Sequence, residues 1–292
     1  MLFVILSNFL VTASYIILAR LSGIRMGELD LGLIFFVTNV MNHLVRSGGV
    51  AGFSLRYIMM KSHGVSLNDV LNSSLIHFLL GSLIMLGMLP LMILYILASS
   101  PVSGVMTPLL IFLALIGVLM GLGVISILFS ERLRLSIARL VVWLGKKVGR
   151  RDITPVVDDY SQRAAWMVSA LRRDRKGFTL VMLLLVGEWI ANVIVLNYCL
   201  KAFGSAISFG GTAAIYVIAT TAGGITSLPG GIGVQEALFT SLAVMQGSSF
   251  EQALLAALLY RIMLTFLPYL FSFALYPRLL KMESREGMTS DT

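Results

Sequence analysis

Apolar residues run along this chain in long blocks separated by short polar or glycine-rich breaks. A helix that crosses a bilayer needs roughly 20 such residues, because the hydrocarbon core is about 30 Å thick and each residue adds about 1.5 Å. Five blocks meet that length: Leu2–Ala19, Val70–Leu97, Val105–Phe129, Phe178–Leu200 and Ala253–Tyr276. The first lacks both a basic leader and a small-residue cleavage site followed by a soluble domain. It therefore reads as a spanning helix, not a removed signal.

Two further blocks, Leu31–Met60 and Ile207–Met245, are equally apolar but interrupted by glycine. The first breaks at Arg46-Ser47-Gly48-Gly49-Val50-Ala51-Gly52. The second breaks at Ala222-Gly223-Gly224 and again at Ser227-Leu228-Pro229-Gly230-Gly231-Ile232-Gly233. Each half is too short to cross, so each block is expected to enter the bilayer as a re-entrant helix pair and return. Irregular backbone at that depth needs protein or a wet cavity to satisfy its polar groups. A single kinked span in each place is the plainer alternative. The fold class that follows is an all-α polytopic membrane protein with about five full spans plus two re-entrant helix pairs.

The two interrupted blocks also resemble each other. Gly48-Gly49 precedes Gly230-Gly231 by 182 residues, and Gly64-Val65-Ser66 precedes Gly247-Ser248-Ser249 by 183. Both copies read glycine pair, short helix, Gly-x-Ser, long span. If the first pair dips from one face and the second from the other, the halves form an inverted repeat, an arrangement that places a substrate site between them near the midplane. Chance similarity is the competing explanation, since few residues match.

Charge orients this scheme. The chain carries 22 Lys+Arg against 14 Asp+Glu, a net +8. Residues 130–177 hold 12 of the basic residues and five of the acids, hence most of the excess. Basic loops stay cytoplasmic, so this loop is expected inside. With both interrupted blocks re-entrant, Arg20, Arg25, Lys61, Arg278, Lys281 and Arg285 also fall inside, and the loop at 98–104 falls outside. The expected organisation is one integral membrane domain over 1–277, multi-pass in the cytoplasmic (plasma) membrane, with a cytoplasmic tail at 278–292. Within the basic loop, Leu133–Val148 places Leu133, Ile137, Leu140, Val141 and Leu144 on one face, as a helix lying on a leaflet does. Asp158-Asp159 reads as an N-cap for a helix over Tyr160–Leu171.

Composition agrees with this picture. Hydrophobic residues make up 58% and charged residues 12%, where a soluble domain needs about 25% charged to cover its surface. The lone cysteine, Cys199, rules out a disulfide within the chain. The partner implied by the basic loop is a membrane phospholipid or other anionic lipid rather than nucleic acid, and self-association is left open.

Candidate chemistry sits at the glycine breaks and the intramembrane charges. Helices that start inside the membrane point unpaired N–H groups and a positive dipole end inward, which suits an anion such as a lipid phosphate. Glycine permits the turn, and Pro229 stops the helix before it. Arg46, Arg56, Glu188, Glu236 and Arg261 lie within apolar segments, where a central charge costs at least about 2.5–3.5 kcal/mol and must face a partner or a cavity. Arg46 and Arg56 are expected phosphate contacts. Glu188 and Arg261 lie at depths that would let them meet as an ion pair, and Glu236 favours the dipole of its helix. Asn39 and Asn42 are expected to bond to other helices, with cavity lining as the alternative for both. The ligand-binding set is thus Asn42, Arg46, Gly48, Gly49, Gly52, Arg56, Glu188, Pro229, Gly230, Gly231, Gly233, Glu236 and Arg261. No metal-ligand spacing, catalytic triad or nucleotide loop is present in the sequence, so neither a metal nor a cofactor is expected.

Val45-Arg46-Ser47-Gly48-Gly49-Val50-Ala51-Gly52 with Arg56, Gly187-Glu188-Trp189, Ser227-Leu228-Pro229-Gly230-Gly231-Ile232-Gly233-Val234-Gln235-Glu236-Ala237 and Leu259-Tyr260-Arg261 resemble the membrane domain of bacterial lysylphosphatidylglycerol synthases. That domain is the flippase part of those proteins, and it also occurs alone. The resemblance covers nearly the whole chain and implies the same polytopic fold and a role in moving lipid between leaflets. The aminoacyl-transferring domain has no counterpart here, so synthesis is not implied, and relatives commonly carry one more span before Leu2–Ala19. The expected function is a flippase or scramblase for a phosphate-bearing lipid, not an enzyme. The alternatives are a membrane-embedded transferase or the membrane part of a glycosyltransferase system, and a stabilising subunit of another complex.

Overall fold

A computed structural model describes residues 1–44, 50–99, 104, 106–149, 154–225 and 231–275. Its described residues form helices and no strand. In order these are α1 (Leu2–Leu21), α2 (Glu28–Leu44), α3 (Val50–Lys61), α4 (Leu67–Ser99), α5 (Met106–Phe129), α6 (Glu131–Gly149), α7 (Thr154–Arg173), α8 (Arg175–Ala202), α9 (Phe209–Ile225), α10 (Val234–Met245) and α11 (Phe250–Arg261). A π-helical turn over Ile262–Phe266 continues α11, and the combined helix runs to Leu275.

Five of these helices are long and apolar enough to span: Leu2–Leu21, Leu67–Ser99, Thr107–Phe129, Arg175–Ala202 and Phe250–Leu275. They coincide with the five blocks expected from the sequence. The interrupted blocks fold as two helix pairs, α2 with α3 and α9 with α10. Each pair has one helix of 17 residues and one of 12. At about 1.5 Å per residue, none of the four reaches across a hydrocarbon core.

The same local devices close both pairs. After α3, Val65 N–H donates to Met60 C=O and Gly64 has φ 71°; after α10, Ser248 N–H donates to Ala243 C=O and Gly247 has φ 94°. Glycine tolerates that left-handed conformation at the end of a helix, where a side chain would be strained. One residue further on, the next helix is capped by serine. Ser66 Oγ accepts from Asp69 N–H at 3.2 Å, and Ser249 Oγ accepts from Gln252 N–H at 3.2 Å. A sequence likeness that rested on a few glycines and serines is therefore matched by hydrogen bonds.

Packing repeats as well. In the first half Phe35 of α2 meets His77 of α4 edge to face, with ring centres 5.3 Å apart, and Arg56 of α3 lies over Phe35. In the second half Tyr216 of α9 meets Tyr260 of α11 at 6.3 Å, and Phe239 of α10 packs on Tyr260 at 5.3 Å. The halves join where α1 lies along α8 and α4 along α9. Gly117 lets α5 close on α4: a Cβ there would lie 2.7 Å from Leu89 Cδ2. The outer face of α5 presents Leu109, Phe112, Leu115, Leu119 and Leu122, all more than half exposed. Such a row is costly in water and at no cost in lipid.

In the loop region, α6 forms where an amphipathic helix was expected, with Leu140 and Trp143 exposed on it. One expectation fails here. Asp158-Asp159 does not cap a helix starting at Tyr160, because α7 begins at Thr154 and both aspartates lie inside it. Thr154-Pro155 supplies the start: proline needs no N–H partner in a first turn, and its fixed φ suits that position.

Candidate functional site

Among the described residues, each half holds a polar centre within the apolar body beside its broken helix pair. Arg46, Gly48, Gly49, Pro229 and Gly230 fall outside the described residues, so the centres are built from their neighbours.

In the first half, Asn42 near the end of α2 accepts a hydrogen bond from Gly52 N–H of α3 at 2.9 Å. Gly52 is the third residue of its helix, so Asn42 satisfies one of the N–H groups that a helix start leaves open. The carbonyl lies so close that a Cβ on Gly52 would collide with the Asn42 amide. Those two residues thus form one unit across the break between α2 and α3.

One turn further along α3, Arg56 is fully buried at 1% exposure. Its Nε donates to Thr38 Oγ1 at 3.0 Å and its Nη1 to Ser74 Oγ at 2.6 Å. The guanidinium centre lies 4.5 Å from the Tyr15 ring and 4.6 Å from the Phe35 ring. Among the described residues no carboxylate pairs with it. A buried cation is thus held by hydroxyls and aromatic faces, the latter contributing about 2 kcal/mol or more when dry. His77 completes the cluster, edge-on to Tyr15 and within 2.9 Å of Ser14 Oγ. Arg56 faces inward, and the two nitrogens named are already engaged, so a headgroup has no open approach to them.

In the second half, Gly231 is buried, and Gly233 N–H donates to Glu236 Oε2 at 2.8 Å. Glu236 therefore closes its own helix start, where a carboxylate is favoured by the dipole. Its other oxygen pairs with Arg261 Nε, and both side chains are nearly buried. Arg261 Nη2 reaches Gln235 Oε1 at 3.4 Å, and Gln235 donates to Thr220 of α9. These contacts tie α9, α10 and α11 together at the mouth of the second break.

The expected Glu188–Arg261 pair does not form. Arg261 turns to Glu236, and Glu188 accepts instead from Asn192 Nδ2 at 2.5 Å, one turn along its own helix. Asn192 Oδ1 in turn accepts from Ser7 Oγ of α1 at 2.7 Å, and its amide also reaches the Tyr216 hydroxyl. Comparable depth was legible in the sequence, but the face of each helix was not. Glu236 of α10 faces Arg261 on α11, whereas Glu188 turns to Asn192 along its own helix.

The structure also contains a cleft that the sequence did not suggest. A cleft of about 190 Å³ opens between the end of α1, the start of α4 and α7, lined by Ser22, Asp69, Asn72, Trp166 and Met167. Asn72 is 2% exposed there, and Ser22 Oγ bonds to Leu18 C=O and Met167 Sδ. Single polar residues in an apolar helix carried no motif that could have announced it.

A model of the family described as lysylphosphatidylglycerol synthase TM region matches residues 1–272. No curated protein matches the chain.

Proposed function

The chain belongs to the lysylphosphatidylglycerol synthase TM region family, and from that premise we propose that this multi-pass membrane protein moves a phosphate-bearing lipid between leaflets without altering it chemically. The observation that carries the proposal is the pair of broken helices, α2–α3 and α9–α10, each beginning a short helix beside polar side chains inside an apolar body. Asn42 and Glu236 each take one N–H there; a helix start has further N–H groups and a positive field that suit an anion where lipid alone offers none.

In this reading the headgroup enters between the two pairs. Arg46 and the helix starts hold the phosphate, Arg261 and Glu236 keep the second start in shape, and the acyl chains remain in lipid. The basic stretch over residues 131–177 faces the cytoplasm and lies against anionic lipid, with α6 flat on the leaflet.

Reconstitution into vesicles with head-labelled lipids tests this. Leaflet exchange of at least one phospholipid or isoprenoid-phosphate lipid accelerates in the presence of the protein. Replacing Arg46 or Arg261 abolishes the acceleration while membrane insertion persists. Unchanged exchange for every lipid tried, or turnover of a donor substrate by the purified protein, overturns the reading.

A further inference from the structure

We propose that Glu188 is a proton-binding site through which lipid movement is coupled to a proton gradient. The inference rests on the transport reading for its coupling half, and on the geometry of α8 for its proton-binding half.

Among the described residues two carboxylates lie deep in the second half, and they are treated differently. Glu236 faces the guanidinium of Arg261 and accepts from a backbone N–H. Glu188, in the middle of the spanning helix α8, pairs with no cation among the described residues. Among the described residues its hydrogen bond is from the neutral Asn192 amide. An ionised carboxylate at membrane depth is costly unless a counter-charge or several donors meet it. One amide does not supply that, whereas the neutral acid carries no charge to be met. Glu188 thus has the surroundings of a group that takes up a proton when shut away from water and releases it when wetted.

Its described neighbours add no competing charge. From α9 the facing titratable group is Tyr216, from α11 Tyr260, and from α1 the neutral Ser7. Of the other elements touching α8, α4 directs His77 to Ser14 and Asp69 to Ser66, and α7 directs Arg172 to Phe129 C=O. Position gives this group leverage. Asn192 links it to Ser7 on α1, across the seam where the halves meet, and to Tyr216 on α9, which packs against Tyr260, the residue before Arg261. A change of charge at Glu188 therefore acts on the seam and on both elements beside the second break. The step itself is a bare protonation: the carboxylate gains one proton from one aqueous face and later loses it to the other, with no bond to carbon made or broken.

Glu188→Gln is the informative variant, because its amide oxygen still accepts from Asn192 but cannot titrate. In proteoliposomes, an imposed pH gradient is expected to change wild-type lipid exchange by about fivefold or more, the lower end of ordinary coupling energies. E188Q is expected to exchange lipid at one rate with and without the gradient, and E188D to retain the response. A wild type indifferent to the gradient, or an E188Q that responds like wild type, overturns the proposal while leaving lipid transport standing. If no lipid moves at all, the transport reading falls and infrared difference spectra decide the proton site. A carboxylic-acid carbonyl band that titrates in the wild type and is missing from E188Q supports it. Spectra without such a band overturn it.

Discussion

Arg56 shows at the scale of one residue how a charge can be kept in an apolar body with no counter-ion among the described residues. Hydroxyls from α2 and α4 take two of its nitrogens, and the rings of Tyr15 and Phe35 cover its faces. Arg56→Ala removes the centre of this cluster and is expected to cost about 3 kcal/mol, as losses from buried networks do. Arg56→Lys should recover little, because one ammonium cannot stack on two rings and reach both hydroxyls. Thermal unfolding in detergent checks both, and a lysine variant as stable as the wild type would refute the account. The sequence marked Arg56, Glu188, Glu236 and Arg261 as residues needing partners, since a charge inside an apolar run demands explanation. It did not reveal the partners. Thr38, Ser74 and Asn192 are neutral and unremarkable in such a run, and which of them meets a charge depends on helix rotation.

Among the elements, α11 departs from regularity next to its charged residue. Leu267 N–H bonds back to Ile262 C=O to form the π-turn, directly before Pro268. Proline offers no N–H and crowds the carbonyl four residues earlier, so a widened turn relieves the helix there. That turn follows Arg261 and helps set which way the last helix presents it. The ion pair with Glu236 then fastens α11 to the start of α10. Removing one partner leaves a charge unpaired at low dielectric, so E236Q or R261Q alone is expected to cost about 3–5 kcal/mol. The double variant E236Q/R261Q should be more stable than either single one, and the yield of folded protein after detergent extraction measures the order. A double variant worse than both singles would mean that the pair is not the relevant unit. Spans and broken pairs were readable from hydrophobic length and glycine, but the π-turn was not, because Pro268 sits in a block that otherwise reads as one continuous helix. The start of α7 was misread for a related reason: two adjacent aspartates outweighed Thr154-Pro155 as a stop-and-start signal.

Across the whole molecule, the proposed orientation makes a prediction that does not depend on transport. Cys199 is the only cysteine and is buried, so a cysteine-free background requires one conservative change. Single cysteines placed within residues 61–66 and within residues 246–250 are expected to react with membrane-impermeant reagent from opposite faces of a sealed vesicle. Labelling from the same face would remove the inverted arrangement and the lipid path with it. The fold was legible because bilayer thickness sets a length and glycine sets a break. The site was legible only in outline, because tertiary packing decides which polar groups converge. The matched ring pairs, Phe35 with His77 and Tyr216 with Tyr260, bear on ancestry. If labelling finds the two breaks on opposite faces, a chain of half this length, inserting in either direction and pairing with itself, would build both pairs from one gene. Fusing two copies would commit each to a single direction and free their interiors to diverge. Arginine could then settle in one descendant, where phenylalanine holds the matching place in the other.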